Sequence, residues 1–285
     1  MEREPETSAG PQRVAVIIAC QDVRKYISST VRACRAIPSV DLIVVVDDGS
    51  TDDTSQVARA AGAVVVRHSV SRGRASALET GVKVAAMRDR TDWPARNLLF
   101  LSPDLGDSAV EANALVEAVN SGLADCAVGV VPVEDGARRG ATWVMAGNGI
   151  RQSTGWDVSG PLSLQRCLTR EVINEVMPFS NGWGADVGMT IDLLIAGFSI
   201  VEIPCAFHHL DEHRVEPNSH KRAQYWDIWW AIKARRLRRR RVPLVLRIPS
   251  WDQEVGRPYA IRGRTLSASR PDEGGDQPEE ESTGA

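Results

Sequence analysis

The stretch LIVVVDDGSTDDT, from Leu42 to Thr54, places an apolar run directly before four aspartates and three hydroxyl side chains. The apolar residues are continuous rather than alternating, which is typical of a strand covered on both faces of a sheet. Thr51 or Asp52 can cap a helix that begins near Thr54, because short polar side chains satisfy the first amides of a helix. The stretch therefore predicts a strand, a turn and a helix, with carboxylates gathered where the buried strand ends.

The same kind of unit recurs through the first half of the chain. Four further apolar runs are separated by segments with helical periodicity: VAVIIAC (14–20), AVVVRH (63–68), NLLFLS (97–102) and CAVGVVPV (126–133). Strands that alternate with helices in this way predict an α/β fold, with a doubly wound and mostly parallel sheet flanked by helices.

The second half is less regular. It predicts a helix over 169–176, a stronger helix over 185–196, a strand SIVEIP (199–204) and a basic, aromatic helix over 222–241. We expect one domain spanning residues 12–245. Residues 1–11 are expected to be disordered, and residues 246–285 to form an extension with an acidic disordered tail.

Composition excludes several classes of protein. The formal net charge of −3 gives no overall attraction to nucleic acid, so no nucleic-acid partner is expected. The five cysteines are scattered and form no C-x-x-C pair, which favours a reducing compartment over a disulfide framework or structural zinc. The polar N-terminus is unlike a secretory signal, and no apolar run approaches the ~20 residues of a membrane span. We therefore expect a cytoplasmic protein.

The acids at the end of the predicted strand allow two interpretations. Ligands of open α/β sheets bind at the carboxyl ends of the strands, where Asp47 and Asp48 can accept hydrogen bonds from a base or from ribose hydroxyls. Alternatively, these side chains only satisfy the amides of the following turn and helix. A calcium loop is disfavoured because the stretch lacks the spacing and closing glutamate of an EF-hand.

Four motifs in order resemble the family 2 glycosyltransferases. VAVIIACQD followed by IVVVDDGSTDDT is similar to the family's opening VSVIIPAYNE and VVDDGSTD. SRGRASALETG is similar to N-x-G-K-G-x-A-L-x-x-G, and FLSPDLGDS stands where the family has LDADLQDP. GWGADVGMTIDLLIAGFSIVEIP resembles the branch that includes polyprenyl-phosphate sugar transferases and glucosyl-phosphoglycerate synthases. The resemblance covers residues 13–227.

The resemblance implies the GT-A fold and an inverting transfer of a sugar from a nucleoside-diphosphate sugar. The acceptor is unknown; a polyprenyl phosphate and a small hydroxyl or phosphate compound both fit the branch. The donor-binding positions that the resemblance implies are Ala19, Asp47, Asp48, Gly73, Arg74, Ser102 and Asp104.

The resemblance also implies a divalent cation, although the family's D-x-D metal motif is altered here. The motif reads Ser102, Pro103, Asp104, so its first acid is missing. Asp104 remains as a ligand for Mg²⁺ or Mn²⁺, and phosphate and water oxygens can complete the coordination. Related enzymes place a histidine ligand after the strand SIVEIP, which implies His209 or His213. The alternative is that both are surface histidines beside acids.

On the acceptor side, Asp186 stands where the family has an acid facing the acceptor. It would act as a general base for a hydroxyl acceptor, or only orient groups for a phosphate acceptor. The alternative is a carboxylate that caps the helix beginning near Gly184. The resemblance further places Ser159, Gly160, Trp183 and Gly184 along the sugar and acceptor cleft, while Trp183 can instead belong to the core.

The segment HKRAQYWDIWWAIKARRLRRRR (220–241) combines aromatic residues with many cations. Such helices are typical of anionic membrane surfaces, which favours membrane association and a lipid-linked acceptor. The alternative is that the tryptophans pack on the sheet. Two rival functions also remain open: a non-catalytic relative that binds sugar nucleotides, suggested by Ser102, and a nucleotidyltransferase. The second is disfavoured because no basic, glycine-rich loop follows the first strand.

Overall fold

The computed structural model describes residues 10–132, 140–210, 218–238 and 255–256. Within these residues the strands are β1 (Val14–Cys20), β2 (Val40–Asp47), β3 (Val64–Arg67), β4 (Asn97–Phe100), β5 (Cys126–Val130), β6 (Arg166–Leu168), β7 (Ile200–Pro204) and β8 (Val255–Gly256). The α-helices are α1 (Ile27–Cys34), α2 (Thr54–Ala60), α3 (Arg74–Ala86), α4 (Asn113–Asn120), α5 (Ala141–Thr154), α6 (Arg170–Val176), α7 (Ala185–Ala196) and α8 (Asn218–Arg238). Short 3₁₀ turns cover Gly106–Ala112 and Gly182–Gly184.

The strands form one mixed sheet in the order β3-β2-β1-β4-β6-β5-β7-β8. Strands β1 to β5 and β7 run in one direction, and β6 and β8 run antiparallel to their neighbours. The prediction of a doubly wound, mostly parallel sheet is confirmed. The expected disorder of both termini concerns residues that, apart from 10–11 and 255–256, lie outside the described ranges.

Both faces of the sheet are covered, as the continuous apolar runs predict. Alternate residues of β1 enter two different cores, because side chains of a strand point to opposite faces. Ala15 and Ile17 pack into the core beneath α3, α5, α6, α7 and α8, whereas Val16 and Ile18 pack into the core beneath α1, α2 and α4. Because the parallel strands run in the same direction, their carboxyl ends lie at the same end of the sheet. Predicted site residues follow these strand ends.

Helix α5 was not predicted, because glycines interrupt its sequence pattern. Gly149 lies against α8 so closely that a Cβ at this position would overlap Ile232 Cδ1 and lie 2.8 Å from Ile232 Cγ1. Gly147 is on the same helix, and a Cβ there would meet only Pro161, at 3.9 Å. The two glycines thus have the same secondary structure and very different surroundings.

We expect Gly149→Ala to destabilise the protein by about 1–3 kcal/mol, because the added methyl group overpacks the contact between α5 and α8. The matched variant Gly147→Ala should stabilise it by about 0.5–1 kcal/mol, since alanine favours a helix interior over glycine. Urea unfolding curves measure both. Equal effects of the two substitutions would contradict the close packing of α5 on α8.

None of the helices in the described part of the chain has the length and apolar character that crossing a membrane requires.

Candidate active site

Asp47 ends strand β2 and is fully buried. Its Oδ1 accepts a hydrogen bond from the Ser50 amide at 2.8 Å, and the Ser55 hydroxyl donates to its Oδ2. Both oxygens therefore hold the turn between β2 and α2, as the second interpretation of the acids expects. Its role as a donor ligand stays a prediction.

Asp48 ties this turn to the loop that precedes α3. Its carboxylate accepts hydrogen bonds from the Arg72 amide at 2.9 Å and the Gly73 amide at 2.7 Å, and from the Ser71 hydroxyl at 2.8 Å. His68 Nδ1 lies 2.7 Å from the same carboxylate. Burial alone would raise the pKa of Asp48, but the hydrogen bonds from Arg72, His68, Ser71 and Gly73 hold this pKa below its usual value.

Asp186 lies at the start of α7 and is only 2% exposed. Arg74, the first residue of α3, donates to its two oxygens at 2.7 and 3.4 Å. The fully buried Arg166 on β6 forms a longer ion pair with it at 3.7 Å. The structure therefore joins the predicted donor residue Arg74 to the predicted acceptor residue Asp186.

Asp104 and His209 come together at the end of β4. His209 Nδ1 lies 3.1 Å from both carboxylate oxygens of Asp104. The Leu210 amide donates to the Asp104 carbonyl at 2.8 Å, so main-chain pairing holds the segment after β7 against the metal motif. Both residues were predicted as metal ligands, and folding brings them together although they are 105 positions apart in the sequence. His213, the alternative ligand, lies outside the described residues.

Ser102 replaces the first acid of the motif and is buried. Its hydroxyl accepts a hydrogen bond from the side-chain amide of Gln165 at 3.1 Å. In the described part of the chain, no three or more histidine, cysteine or acidic side chains form a group that could hold a metal. Among the described residues the protein thus offers Asp104 and His209, and a substrate and water can supply further ligands.

The predicted acceptor residues occupy two separate turns. Glu202 on β7 accepts hydrogen bonds from the amides of Ser159 at 2.8 Å and Gly160 at 2.7 Å, which fixes the turn before β6. Trp183 and Gly184 lie in the 3₁₀ turn before α7, and the Trp183 amide is 3.2 Å from Asp227 Oδ2. The Trp183 ring is partly buried against the core, so it contributes to packing.

The remaining predicted donor position, Ala19, lies near the end of β1, paired with Val46 of β2. Since β1 lies between β2 and β4, the ends of these two strands are about 10 Å apart, two spacings of a sheet. A nucleotide at this edge can therefore span the turn after β2 and the metal motif after β4.

Four residues of this region were not predicted: Gln165, Arg166, Glu202 and Asp227. Each contacts a predicted residue far along the chain, with separations of 63 for Gln165 and 44 for Asp227. No local motif signals such pairs. Gln165 and Arg166 follow shortly after Ser159 and Gly160, which the resemblance places along the cleft, but nothing in the sequence predicts the strand β6 that begins at Arg166.

Comparison with known proteins identifies the family. Residues 15–167 match the model of Glycosyl transferase family 2, which is more than half of the 285 residues. The chain therefore belongs to glycosyl transferase family 2, and its sheet and flanking helices form the GT-A fold.

The chain is similar to two relatives from bacteria. Polyprenol monophosphomannose synthase of Mycolicibacterium smegmatis is 28% identical over 254 residues, covering 81% of this chain and 92% of the relative. A succinoglycan biosynthesis protein of Rhizobium meliloti is 33% identical over 130 residues, which cover 41% of this chain and 38% of that protein. The chain thus matches well under half of the length of the second relative.

Solved structures show the same fold. Glucosyl-3-phosphoglycerate synthase from Mycobacterium tuberculosis, crystallised with Mn²⁺, uridine diphosphate and glucosyl-3-phosphoglycerate, superposes with a TM-score of 0.62 at 22% identity. The superposition covers 79% of this chain and 80% of that one. A second complex of the same enzyme contains Mn²⁺, UDP-glucose and phosphoglyceric acid, with a TM-score of 0.62 at 21% identity.

Proposed function

We propose that this protein transfers a sugar from a nucleoside-diphosphate sugar to an acceptor, with the help of a divalent cation. The observation that carries the proposal is the set of side chains gathered where the neighbouring strands β1, β2 and β4 end. There the turn after β2, the cationic start of α3 and the Asp104–His209 pair lie together in a chain of this family.

The donor residues divide into two groups. Asp47 and Asp48 build the turn and the loop beneath the nucleotide, since their carboxylates are engaged by the protein itself. Arg74 is partly exposed and presents a guanidinium group at the start of α3. A guanidinium group pairs well with phosphate oxygens, so we assign Arg74 to the diphosphate.

Asp104 and His209 fit a divalent cation that is completed by its substrate. Mg²⁺ and Mn²⁺ are commonly held by one or two protein groups together with phosphate oxygens and water. Carboxylate oxygen and imidazole nitrogen are acceptable ligands for Mn²⁺. When bound, the cation would neutralise charge that develops on the departing diphosphate.

The reaction is a single displacement. The acceptor oxygen forms a bond to the anomeric carbon while the bond to the diphosphate breaks, which inverts the configuration and releases nucleoside diphosphate. The acceptor proton goes to Asp186 when the acceptor is a hydroxyl. A phosphate acceptor is already anionic, and Asp186 then only holds Arg74 in place. Polyprenyl phosphate and phosphoglycerate are the acceptor classes that the relatives suggest.

The test is product analysis with UDP-, GDP- and TDP-sugars, with polyprenyl phosphate and 3-phosphoglycerate as trial acceptors. Release of nucleoside diphosphate, with transfer or with slow donor hydrolysis, is the expected result. Release of pyrophosphate instead would indicate a nucleotidyltransferase. Binding of donors without any release would favour the non-catalytic relative, which the Ser102–Gln165 hydrogen bond makes the second candidate.

Helix α8 supports the further proposal that the protein associates with an anionic membrane surface. Ile228, Ala231 and Ile232 are buried, and α8 packs on α5 and α7. Trp226 and Trp230 are 52% and 58% exposed, and Leu237 is 80% exposed. These three residues recur at helical spacing, so they form one stripe that faces away from the protein.

Cations accompany this stripe. Lys221, Arg222, Lys233 and Arg236 are exposed on the same helix, and Lys233 Nζ lies 5.3 Å from the centre of the Trp229 ring. Exposed tryptophans with flanking cations are typical of helices that lie in the interface of anionic membranes. The four arginines 238–241 extend the positive charge in sequence, although residues 239–241 lie outside the described part.

We expect the protein to sediment with vesicles that contain anionic lipid, and less so as the salt concentration rises, because salt screens surface charge. Replacing Arg238–Arg241 with glutamine, or Trp226 and Trp230 with serine, should weaken this binding. A matched variant, Arg32→Gln with Arg59→Gln on α1 and α2, should bind like the wild type. Wild-type protein that ignores anionic vesicles at low salt would contradict the proposal.

A further inference from the structure

The segment 179–186 is held by two helices on opposite sides. From α3, Glu79 accepts a hydrogen bond from the Phe179 amide at 2.9 Å, and Arg74 pairs with Asp186. From α8, Arg235 donates to the Ser180 hydroxyl at 2.6 Å, and Asp227 accepts from the Trp183 amide at 3.2 Å. The segment that ends at Asp186 is therefore fixed by side chains rather than by sheet pairing.

The contact with α8 leaves no room for a side chain at either glycine of the turn. Gly182 has a φ of +57°, and a Cβ there would overlap the Asp227 carboxylate. A Cβ at Gly184 would lie 2.7 Å from the Asp227 carbonyl oxygen. A positive φ and a close approach of neighbouring atoms both favour glycine. The two glycines of GWG therefore allow the turn to pack directly against Asp227 of α8.

Asp227 is the acid that α8 presents to this turn. It is half-buried, and it accepts the hydrogen bond from the Trp183 amide. Asp192 of α7 is engaged differently, since Arg235 Nε donates to it at 2.8 Å. The two acids thus make different connections. Asp192 joins α7 to α8 through Arg235, whereas Asp227 joins the turn Gly182–Gly184 to α8.

We infer that Asp227 is a positioning residue, which sets the turn Gly182–Gly184 and through it the location of Asp186 beside Arg74. The inference rests on the proposed function, because it assigns the turn to the acceptor side of the transferase. It predicts that loss of the Asp227 carboxylate impairs turnover while the nucleotide pocket, built by Asp48 and Arg74, still binds nucleotide.

The experiment compares three variants with the wild type. Asp227→Ala removes the acceptor of the Trp183 amide, and Asp227→Asn keeps an oxygen that can accept the same hydrogen bond. Asp125→Ala is the matched control, since Asp125 likewise accepts a hydrogen bond from a main-chain amide, that of Ser199, at 2.7 Å. Asp125 directly precedes β5 and so lies at the amino end of that strand. The measurements are hydrogen–deuterium exchange of residues 180–186, the affinity for UDP, and UDP release from UDP-glucose with Mn²⁺.

For Asp227→Ala we expect at least tenfold faster exchange of residues 180–186 and about tenfold lower kcat, with UDP affinity within twofold of the wild type. Asp227→Asn should restore both exchange and kcat, and Asp125→Ala should leave both unchanged. Unaltered exchange in Asp227→Ala, or an equal loss of kcat in the control, would overturn the inference. If the wild type itself releases no UDP, the proposed function fails for this donor, and the exchange comparison still decides the structural role of Asp227.

Discussion

Asp104→Asn is expected to lower the rate of sugar transfer by about 10²–10³-fold, the usual loss when a preorganised electrostatic group is removed. The reason is that Asp104 supplies a carboxylate of the proposed cation site, with His209 Nδ1 at 3.1 Å. Asparagine retains the shape but loses the charge. Initial rates at saturating Mn²⁺, measured as nucleoside diphosphate released, give the effect directly.

The matched control for this substitution is Asp107→Asn, because Asp107 is an exposed acid three residues further along, in the 3₁₀ turn that follows. Its removal should change the rate by no more than about twofold, as for a surface charge. Ser102→Asp should preserve or strengthen metal dependence, since a carboxylate at this position can still accept the hydrogen bond from Gln165. Equal rates for Asp104→Asn and the wild type would remove Asp104 from the metal site.

Asp186→Asn is expected to lower turnover by roughly 10²-fold or more if this residue accepts the proton of the acceptor. Donor binding should change little, because Arg74 remains at the start of α3. The structure adds a second consequence, which is loss of stability. Asp186 forms ion pairs with Arg74 and with the fully buried Arg166, and removing one partner of a buried ion pair typically costs about 3–5 kcal/mol.

Both consequences can be separated by experiment. Thermal unfolding measures the stability of Asp186→Asn, and turnover is then compared at a temperature at which wild type and variant are fully folded. A rate near that of the wild type under these conditions would show that Asp186 is not a base and only orients Arg74. A phosphate acceptor would be consistent with that outcome, since it needs no proton removed.

The sheet was predictable because its parallel strands coincide with short, mostly continuous apolar runs, from Val14 in β1 to Val130 in β5. Strand β6 was not, since three residues carry no periodicity and its antiparallel place between β4 and β5 depends on both partners. Helix α5 was missed because Gly147 and Gly149 lower helix propensity, and its contact with α8 outweighs that cost.

The site was predictable only where a residue carries a motif. Asp104, Arg74 and Asp186 lie in quoted motifs, and the structure brings Arg74 to Asp186 and Asp104 to His209. Gln165 and Asp227 were given no role from the sequence, because each acts through a partner that folding supplies from another element. The sequence left open whether the tryptophans pack on the sheet or face a membrane. Trp226 and Trp230 are exposed, so these two do not pack on the sheet, and their contact with a membrane stays a proposal.

The central claim is that Asp104 holds a divalent cation against the diphosphate of a sugar nucleotide. A thermal shift assay with UDP-, GDP- and TDP-sugars, each with Mn²⁺, with Mg²⁺ and with chelator, tests it most directly. A ligand at ~100 times its dissociation constant stabilises the folded state by about 2.7 kcal/mol, which such an assay resolves. We predict a larger shift with metal than with chelator for at least one donor, and loss of the metal-dependent part in Asp104→Asn. Equal shifts in metal and chelator would contradict the metal site, and no shift with any sugar nucleotide would contradict the proposed function itself.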